Sequence, residues 1–437
     1  MTDPATAIVE VSYAMGWDFA TRSVLYPLNE TSASERDRKG RPYVVVYGTL
    51  QRRYPLEVHL VSWNDHYFGI WAYDEQGRRV AGADLRLVEA DRLFMRRMEN
   101  WHYSTSGMPE FAWGAGQDFI DHPNPQGPGQ HRLAPQGNAG PSIGPGWSKD
   151  DQIWYSKPRF GEHALLLRGT TRQISGPLTF REAPMPAQWQ GSSSLLAGAS
   201  CPWEPPHPAL PGQLGALFQP GARIAYIGDV ASDEEIVTVV DPVDVGEVSI
   251  PSGRLIVDMA YVDRDYPDTD RRVRELSERI PAGTYRVQAA MIREDWEYQG
   301  RSGSNVDSRA VRLVLAPEPA VTWELALCAD DDLRLLQSED VVGYLIDNGD
   351  DGCFADASAW EALADQYACW FDDGDDSGIE RLADGFTCVH DNATGGDMIA
   401  FPTAGGRENP VWLGRAESGQ LVAILAATSP LANVRLL

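Results

Sequence analysis

Residues 42–73 read PYVVVYGTLQRRYPLEVHLVSWNDHYFGIWAY, and this stretch decides the fold class of the amino-terminal half. Three short runs, Pro42–Leu50, Leu56–Trp63 and Tyr67–Tyr73, are rich in Val, Tyr, Trp and Ile, side chains that pack well on a pleated surface. Asn64-Asp65 between the second and third runs, and Gln76-Gly77 after them, are turn chemistry. Within the third run Tyr67, Trp71 and Tyr73 share one alternating phase and Phe68 takes the other. At least one of these sets must face a core. His59 lies in an apolar alternation and reads as a core or sheet-face histidine.

Working outward, Arg78–Val88 continues the strands, and Asp91–Trp101, with Leu93, Phe94 and Met98, is expected as a short helix. His122–Gly146 is rich in Pro and Gly without a period and is expected as a long loop. Glu162–Arg168 is expected as a buried strand. Residues 183–220 contain PMPAQWQGSSS and CPWEPPHPALPGQ, whose prolines oppose both ladder pairing and helix growth. The expected organisation is a β-sandwich-like domain over 1–182, a Pro-rich linker over 183–220, and an antiparallel β-rich domain over 221–437.

In the second domain Arg223–Ile227, Glu235–Val240, Leu255–Val262, Thr284–Ile292, Ala310–Leu315 and Val321–Leu327 read as strands. Asp270–Ile280 is expected as a short helix. Asp356–Phe371 is a stronger one: Trp360, Leu363, Ala364, Tyr367 and Phe371 recur at helical spacing, and Ser358 with Glu361 forms a capping box. Pro410–Gly414 and Gln420–Ala427 read as a closing hairpin. The fold class is therefore mostly β with minor α (α+β).

The charge is unevenly placed. Of the 63 acidic and 37 basic residues, 22 and 20 lie in residues 1–215, whereas 41 and 17 lie in residues 216–437. The second half carries nearly all of the net charge of −26. Such a surface repels nucleic acid and anionic membrane and attracts basic partners. The longest apolar runs fall far short of the ~20 residues needed to span a bilayer. The start, MTDPATAIVEVSY, lacks the charged and apolar regions of a signal peptide. Five unpatterned cysteines read as reduced thiols, so a cytoplasmic setting is expected.

Several short motifs recur in a familiar order from Gly246 onward. They are Pro251-Ser252-Gly253-Arg254-Leu255, Pro281-Ala282-Gly283-Thr284-Tyr285-Arg286-Val287, Val311-Arg312-Leu313 with Trp323-Glu324-Leu325-Ala326, and Gly343-Tyr344 with Asp347-Asn348-Gly349. Gly352-Cys353-Phe354-Ala355-Asp356, Asn392, Gly395-Gly396-Asp397 and Pro410-Val411-Trp412-Leu413-Gly414 follow. Residues from about 246 to the end thereby resemble a bacterial family catalogued as domain of unknown function 4241. The pattern departs from that family at Asp258-Met259, where Asp-Pro is usual, and at Met398, where glycine is common. The resemblance implies a fold unit and no activity. Nothing in the first half resembles a known family.

The binding candidates are Asp347, Asp350, Asp351, Asp356 and Asp397, with Arg254 from the Ser-Gly-Arg element. Clustered carboxylates suit Ca²⁺ or Mg²⁺, but Asp347–Gly352 fails as an EF-hand loop at Gly349 and at Ser358. Asp- and Gly-rich turns are the simpler reading of these residues, because Asp tolerates the left-handed region and bonds its own backbone. The thiols of Cys353, Cys369 and Cys388 with His390 lack zinc-finger spacing, and no metal ligand or cofactor is assigned. Cys201 and His207 lie in the proline-rich stretch, a poor scaffold for a reactive pair. No nucleophile elbow, HExxH or P-loop is present. Trp63, Trp101, Tyr103 and Trp113 extend the aromatic set, which on a sandwich face would stack on sugars. The sequence thus favours a non-catalytic protein of immunity or antitoxin type, whose acidic half docks a basic protein. The alternatives are a divalent-cation enzyme built on the aspartates and a carbohydrate-binding module in the first half.

Overall fold

The computed structural model describes residues 6–112, 115–125, 129–134, 142–146, 153–168, 174, 176–190, 203–206, 212–227, 235–261, 273–298, 300–337, 342–345, 351–374, 378–382, 385–403, 408–428 and 431–437. The chain is mostly β, with two α-helices and several antiparallel sheets among the described residues, and divides into two compact units, Met1–Pro206 and His207–Leu437. No helix among the described residues is long and apolar enough to cross a membrane.

The described residues of the first unit form one sheet of twelve strands. These are β1 (Ala7–Asp18), β2 (Ser23–Leu28), β3 (Tyr43–Gly48), β4 (Glu57–Ser62), β5 (Tyr67–Tyr73), β6 (Arg79–Glu89), β7 (Arg92–His102), β8 (Gly116–Asp121), β9 (Gly129–Ala134), β10 (Ser142–Gly146), β11 (Trp154–Ser156) and β12 (Leu178–Glu182). From β3 to β10 each strand pairs antiparallel with the next, while β12 returns to lie parallel to β1, Ala7 facing Leu178. Helix α1 (Glu30–Arg38) is N-capped by Asn29, whose Oδ1 accepts from the Ser32 N–H at 2.8 Å.

Both faces of this sheet are buried. Tyr43, Val45, Tyr47, Phe68 and Leu85 pack in one cluster, and Val44, Val46, Tyr67, Trp71 and Tyr73 in another. The two aromatic phases of β5 thus both serve cores. Trp63 and Trp101 are buried too, so few of these rings are left as a stacking surface. Trp113 lies outside the described residues. His59 is fully buried, bonded through Nε2 to Glu57 Oε1 at 2.9 Å and packed on Tyr47 and Phe68.

Three expectations for this unit are corrected. Asp91–Trp101 is not a helix but lies in β7, joined to β6 by a two-residue turn at Ala90-Asp91. It is flanked by β6 and β8, and its buried Arg96 pairs with Asp121. His122–Gly146 is not all loop, because β9 and β10 form a hairpin within it; Pro145 is tolerated since β10 is the sheet's last strand. Glu162–Arg168 is a 3₁₀ turn over His163–Leu166 rather than a strand. There the His163 Nε2 and Tyr43 Oη are hydrogen-bonded at 3.0 Å, and burial, then the nearby His59, push the imidazole down to about 3, so it stays neutral.

Nor is the whole of 183–220 a loose linker. Trp189, 1% exposed, belongs to the first unit's core, and Leu214–Phe218 form a 3₁₀ turn whose Leu214 and Leu217 are fully buried in the second.

The described residues of the second unit form two sheets. Its strands are β13 (Arg223–Ile227), β14 (Glu235–Val239), β15 (Val243–Ile250), β16 (Leu255–Met259), β17 (Gly283–Tyr298), β18 (Arg301–Val314), β19 (Thr322–Leu325), β20 (Gly343–Leu345), β21 (Gly352–Asp356), β22 (Ile379–Arg381), β23 (Thr387–Asp391), β24 (Gly396–Phe401), β25 (Glu408–Arg415), β26 (Leu421–Ala427) and β27 (Ala432–Leu436). A five-stranded sheet runs β16-β21-β24-β23-β22, and a ten-stranded sheet runs β19-β25-β26-β18-β17-β14-β13-β27 with β15 on β17 and β20 on β25. Leu255, Val257, Phe354 and Ile399 of the smaller sheet meet Val248, Val287, Leu313 and Ile424 of the larger in one core. Alternation sends Ile256, Ala355 and Met398 to the opposite face, where helix α2 (Trp360–Asp373) covers them with Trp360, Leu363, Ala364 and Tyr367. Phe371, expected on that buried stripe, is 52% exposed and rests on Tyr261.

Residues 273–280 are extended rather than helical. The Asp258 carboxylate takes the Arg274 N–H at 2.9 Å, and the Leu276 N–H goes to Leu255 O, so the segment docks as a strand-like edge.

Candidate functional site

The aspartates singled out in the sequence do not form one cluster. Asp347 and Asp350 lie outside the described residues. Asp351 precedes β21 and lies on its helix side, where its carboxylate accepts from Tyr367 Oη at 2.7 Å. Burial raises the Asp351 carboxyl above the ordinary aspartate range, and the Tyr367 hydrogen bond only partly offsets this. Asp356 is five residues on, about 17 Å along an extended strand, and its odd-to-even change of phase sends it to the other face.

That other face carries the most organised polar site of this unit. Leu255 faces Asp356 across the β16–β21 pair, and His390 faces Asp397 across β23–β24. Asp356 is fully buried and Asp397 nearly so. Over them lies the turn joining β15 to β16, Ile250–Gly253, closed by the Gly253 N–H donating to Ile250 O at 3.2 Å. Ser252 donates its backbone N–H (2.9 Å) and its hydroxyl (2.7 Å) to Asp356 Oδ2. Ser358 donates its N–H (2.8 Å) and its hydroxyl to Oδ1. Asp397 Oδ2 accepts from the Ser249 N–H at 2.8 Å, while Oδ1 is paired with His390 Nδ1.

Gly253 makes the turn possible. Its φ is +66°, and a Cβ there would lie 2.5 Å from the Ile280 carbonyl oxygen, so neither the conformation nor the space admits a side chain. Ser358 does not cap helix α2: the N-cap residue is Ala359, which has no side chain to offer, and the Ser358 hydroxyl is engaged by Asp356 instead. Arg254 follows the turn but extends outward, where its Nε donates to Glu275 Oε1 at 2.9 Å. Ser249 and Ser252 escaped the sequence reading, although Ser252-Gly253 in the Ser-Gly-Arg element marks the turn.

Burial would raise the Asp356 carboxyl, but the donations from Ser358 and Ser252 outweigh it and hold the group below the ordinary range. A carboxyl depressed in the folded state stabilises the fold above the unfolded aspartate value, near 3.9, and that contribution is lost as pH falls through the folded value. The stability gap between the wild type and Asp356→Asn, read from urea midpoints, is thus expected to be full at pH 7 and to narrow below about pH 4. A gap unchanged down to about pH 2.5 would remove this assignment.

Every carboxylate oxygen of this pair is already committed to hydrogen bonds, and the arrangement fastens a turn. Among the described residues no three His, Cys, Asp or Glu side chains converge to hold a metal ion. The thiols are dispersed: Cys353 is buried beneath α2, Cys388 packs on the inter-sheet core, and burial pushes Cys388 up to about 12, a thiol rather than a thiolate. Cys201 and His207 lie outside the described residues.

Fold and site define a two-unit β protein whose second unit is a pair of packed antiparallel sheets pinned by buried aspartates. Residues 248–426 match the family model described as a protein of unknown function (DUF4241), and the first half matches no family model. The match begins at the end of β15 and takes in Ser249, Ser252, Asp356, His390 and Asp397, so the fastened turn lies within it. No curated protein and no solved structure matches the chain.

Proposed function

We propose that the protein works by binding, its acidic second unit docking a basic protein in the manner of an immunity protein or antitoxin, in a cytoplasmic setting. The observation that carries this reading is the charge division: residues 207–437 hold 41 acidic and 17 basic side chains, and residues 1–206 hold 22 and 20. A strong single-sign field speeds encounter with an oppositely charged partner and rejects wrong ones. The outer face of α2 contributes exposed Glu361, Asp365 and Asp372, with exposed Glu380 on β22 nearby in the same unit. Asp356 and Asp397, the natural choices for a cation-dependent reaction, are occupied in holding backbone.

Affinity capture of the tagged protein from its native lysate, at ~50 mM and ~0.5 M salt, tests the reading, because screening at the higher salt shortens the reach of the field to a few ångströms. One basic protein enriched at low salt and depleted at high salt is the expected result. Absence of any basic partner at ~50 mM salt would overturn it.

A further inference from the structure

The first unit contains a groove of about 520 Å³ between β1, β2, the start of α1 and the segment after β12. That volume lies in the range of small-molecule sites. Val11, Leu28 and Met185 give it apolar walls, and Tyr13, Glu30 and Glu182 add three polar groups. Tyr13 Oη donates to Glu182 Oε1 at 2.9 Å, which fixes the Glu182 carboxylate at the groove. Both glutamates are exposed to solvent, and among the described residues neither is paired with an Arg, Lys or His. Other exposed glutamates of this unit have such partners: Glu35 takes Lys39 and Glu89 takes Arg92. The two unpaired groups also lie close enough to act on one another. Glu182, as an acceptor that favours the protonated Glu30 carboxyl and then through its like charge, raises Glu30 above the ordinary carboxylate range.

Two carboxyl groups beside an apolar wall, with no cation of their own, define the complement they lack. We propose that this groove binds a small organic cation, an amidinium, guanidinium or ammonium group carried on an apolar body. The cationic head would donate to Glu30 and to the oxygen of Glu182 that Tyr13 does not use, taking the place of the proton that otherwise eases the pair's mutual repulsion. The body would lie against Val11, Leu28 and Met185. An anion is repelled by the same pair, and a neutral molecule leaves it uncompensated. The site lies in the first unit, so this inference stands or falls independently of the docking reading.

Calorimetric titration of the full-length protein with benzamidinium, and with benzamide as the neutral molecule of the same shape, provides the test. Phenethylammonium and 2-phenylethanol form a second such pair with a longer body. At ~50 mM salt each cation is expected to bind at least about tenfold more tightly than its neutral counterpart, a difference of about 1.4 kcal/mol. Glu182→Gln and Glu30→Gln are each expected to weaken the cation by about fivefold or more with thermal unfolding unchanged, since both side chains are at the surface. Equal affinity within each pair would overturn the proposal. So would no saturable binding of either cation up to about 10 mM, or cation binding that both glutamine variants leave intact, which would place it elsewhere on the acidic surface.

Discussion

Replacing Asp356 by alanine is expected to lower the stability of the second unit by about 3–4 kcal/mol. The carboxylate accepts four hydrogen bonds, two from Ser252 and two from Ser358, and it is fully buried. A hydrogen bond to a charged acceptor contributes about 1.5–3 kcal/mol net, but here the terms do not simply add. The Ser358 side is exposed and would regain water, whereas Ser252 is half-buried and would recover less of what it loses. Urea denaturation of the full-length protein measures the loss, and amide exchange locates it. Protection should drop over 249–254 and at the start of α2, while the first unit stays unchanged. A midpoint within about 0.5 kcal/mol of wild type would show that the turn holds without its fastener.

Trp189→Ala is expected to cost the first unit a similar amount, about 3–5 kcal/mol, the range for removing a large buried aromatic side chain. The indole lies directly over Gly48, where a Cβ would come within 2.1 Å of its ring, so β3 and the segment after β12 are built to fit each other. Neighbours Val44, Val46 and Val58 are rigid strand residues that cannot collapse into the space. Amide exchange of Tyr43–Gly48 reads the effect directly. Unchanged protection there would mean that residues 183–190 are a detachable tail after all.

The sequence was most legible where the signal was local. In Tyr67–Tyr73 the alternation announced at least one core face, because strand alternation needs no knowledge of partners, and the structure buries both phases. The α2 stripe of Trp360, Leu363, Ala364 and Tyr367 was equally plain, and the resemblance that began at Gly246 anticipated the matched 248–426 segment. Misreadings came where short apolar runs fit either period. Leu93, Phe94 and Met98 carry no helical repeat strong enough to oppose strand partners on both sides, and those partners decide the outcome. Val243–Ile250 went unread as a strand, although it pairs with β17 from end to end apart from a register shift at Val245. The site was the least legible part. Asp356 and Ser252 are 104 positions apart, so nothing local distinguishes this aspartate from the loop acids around it. Ser358, three residues before Glu361, offered a sound capping signal that a stronger acceptor claimed.

The parallel pairing of β1 with β12 also governs the timing of synthesis. The ladder between Ala7–Val11 and Leu178–Glu182 joins segments 171 positions apart. A ribosome adding about 5–20 residues per second needs roughly 10–30 s to reach the second of them. Throughout that interval the Ala7–Val11 edge of β1 stays bare, a row of open donors and acceptors on a nascent chain. In a crowded polysome the neighbours are identical chains bearing the same bare strand. The hazard of this architecture therefore lies in synthesis, before the native sheet exists, and a holding chaperone would have its greatest effect there.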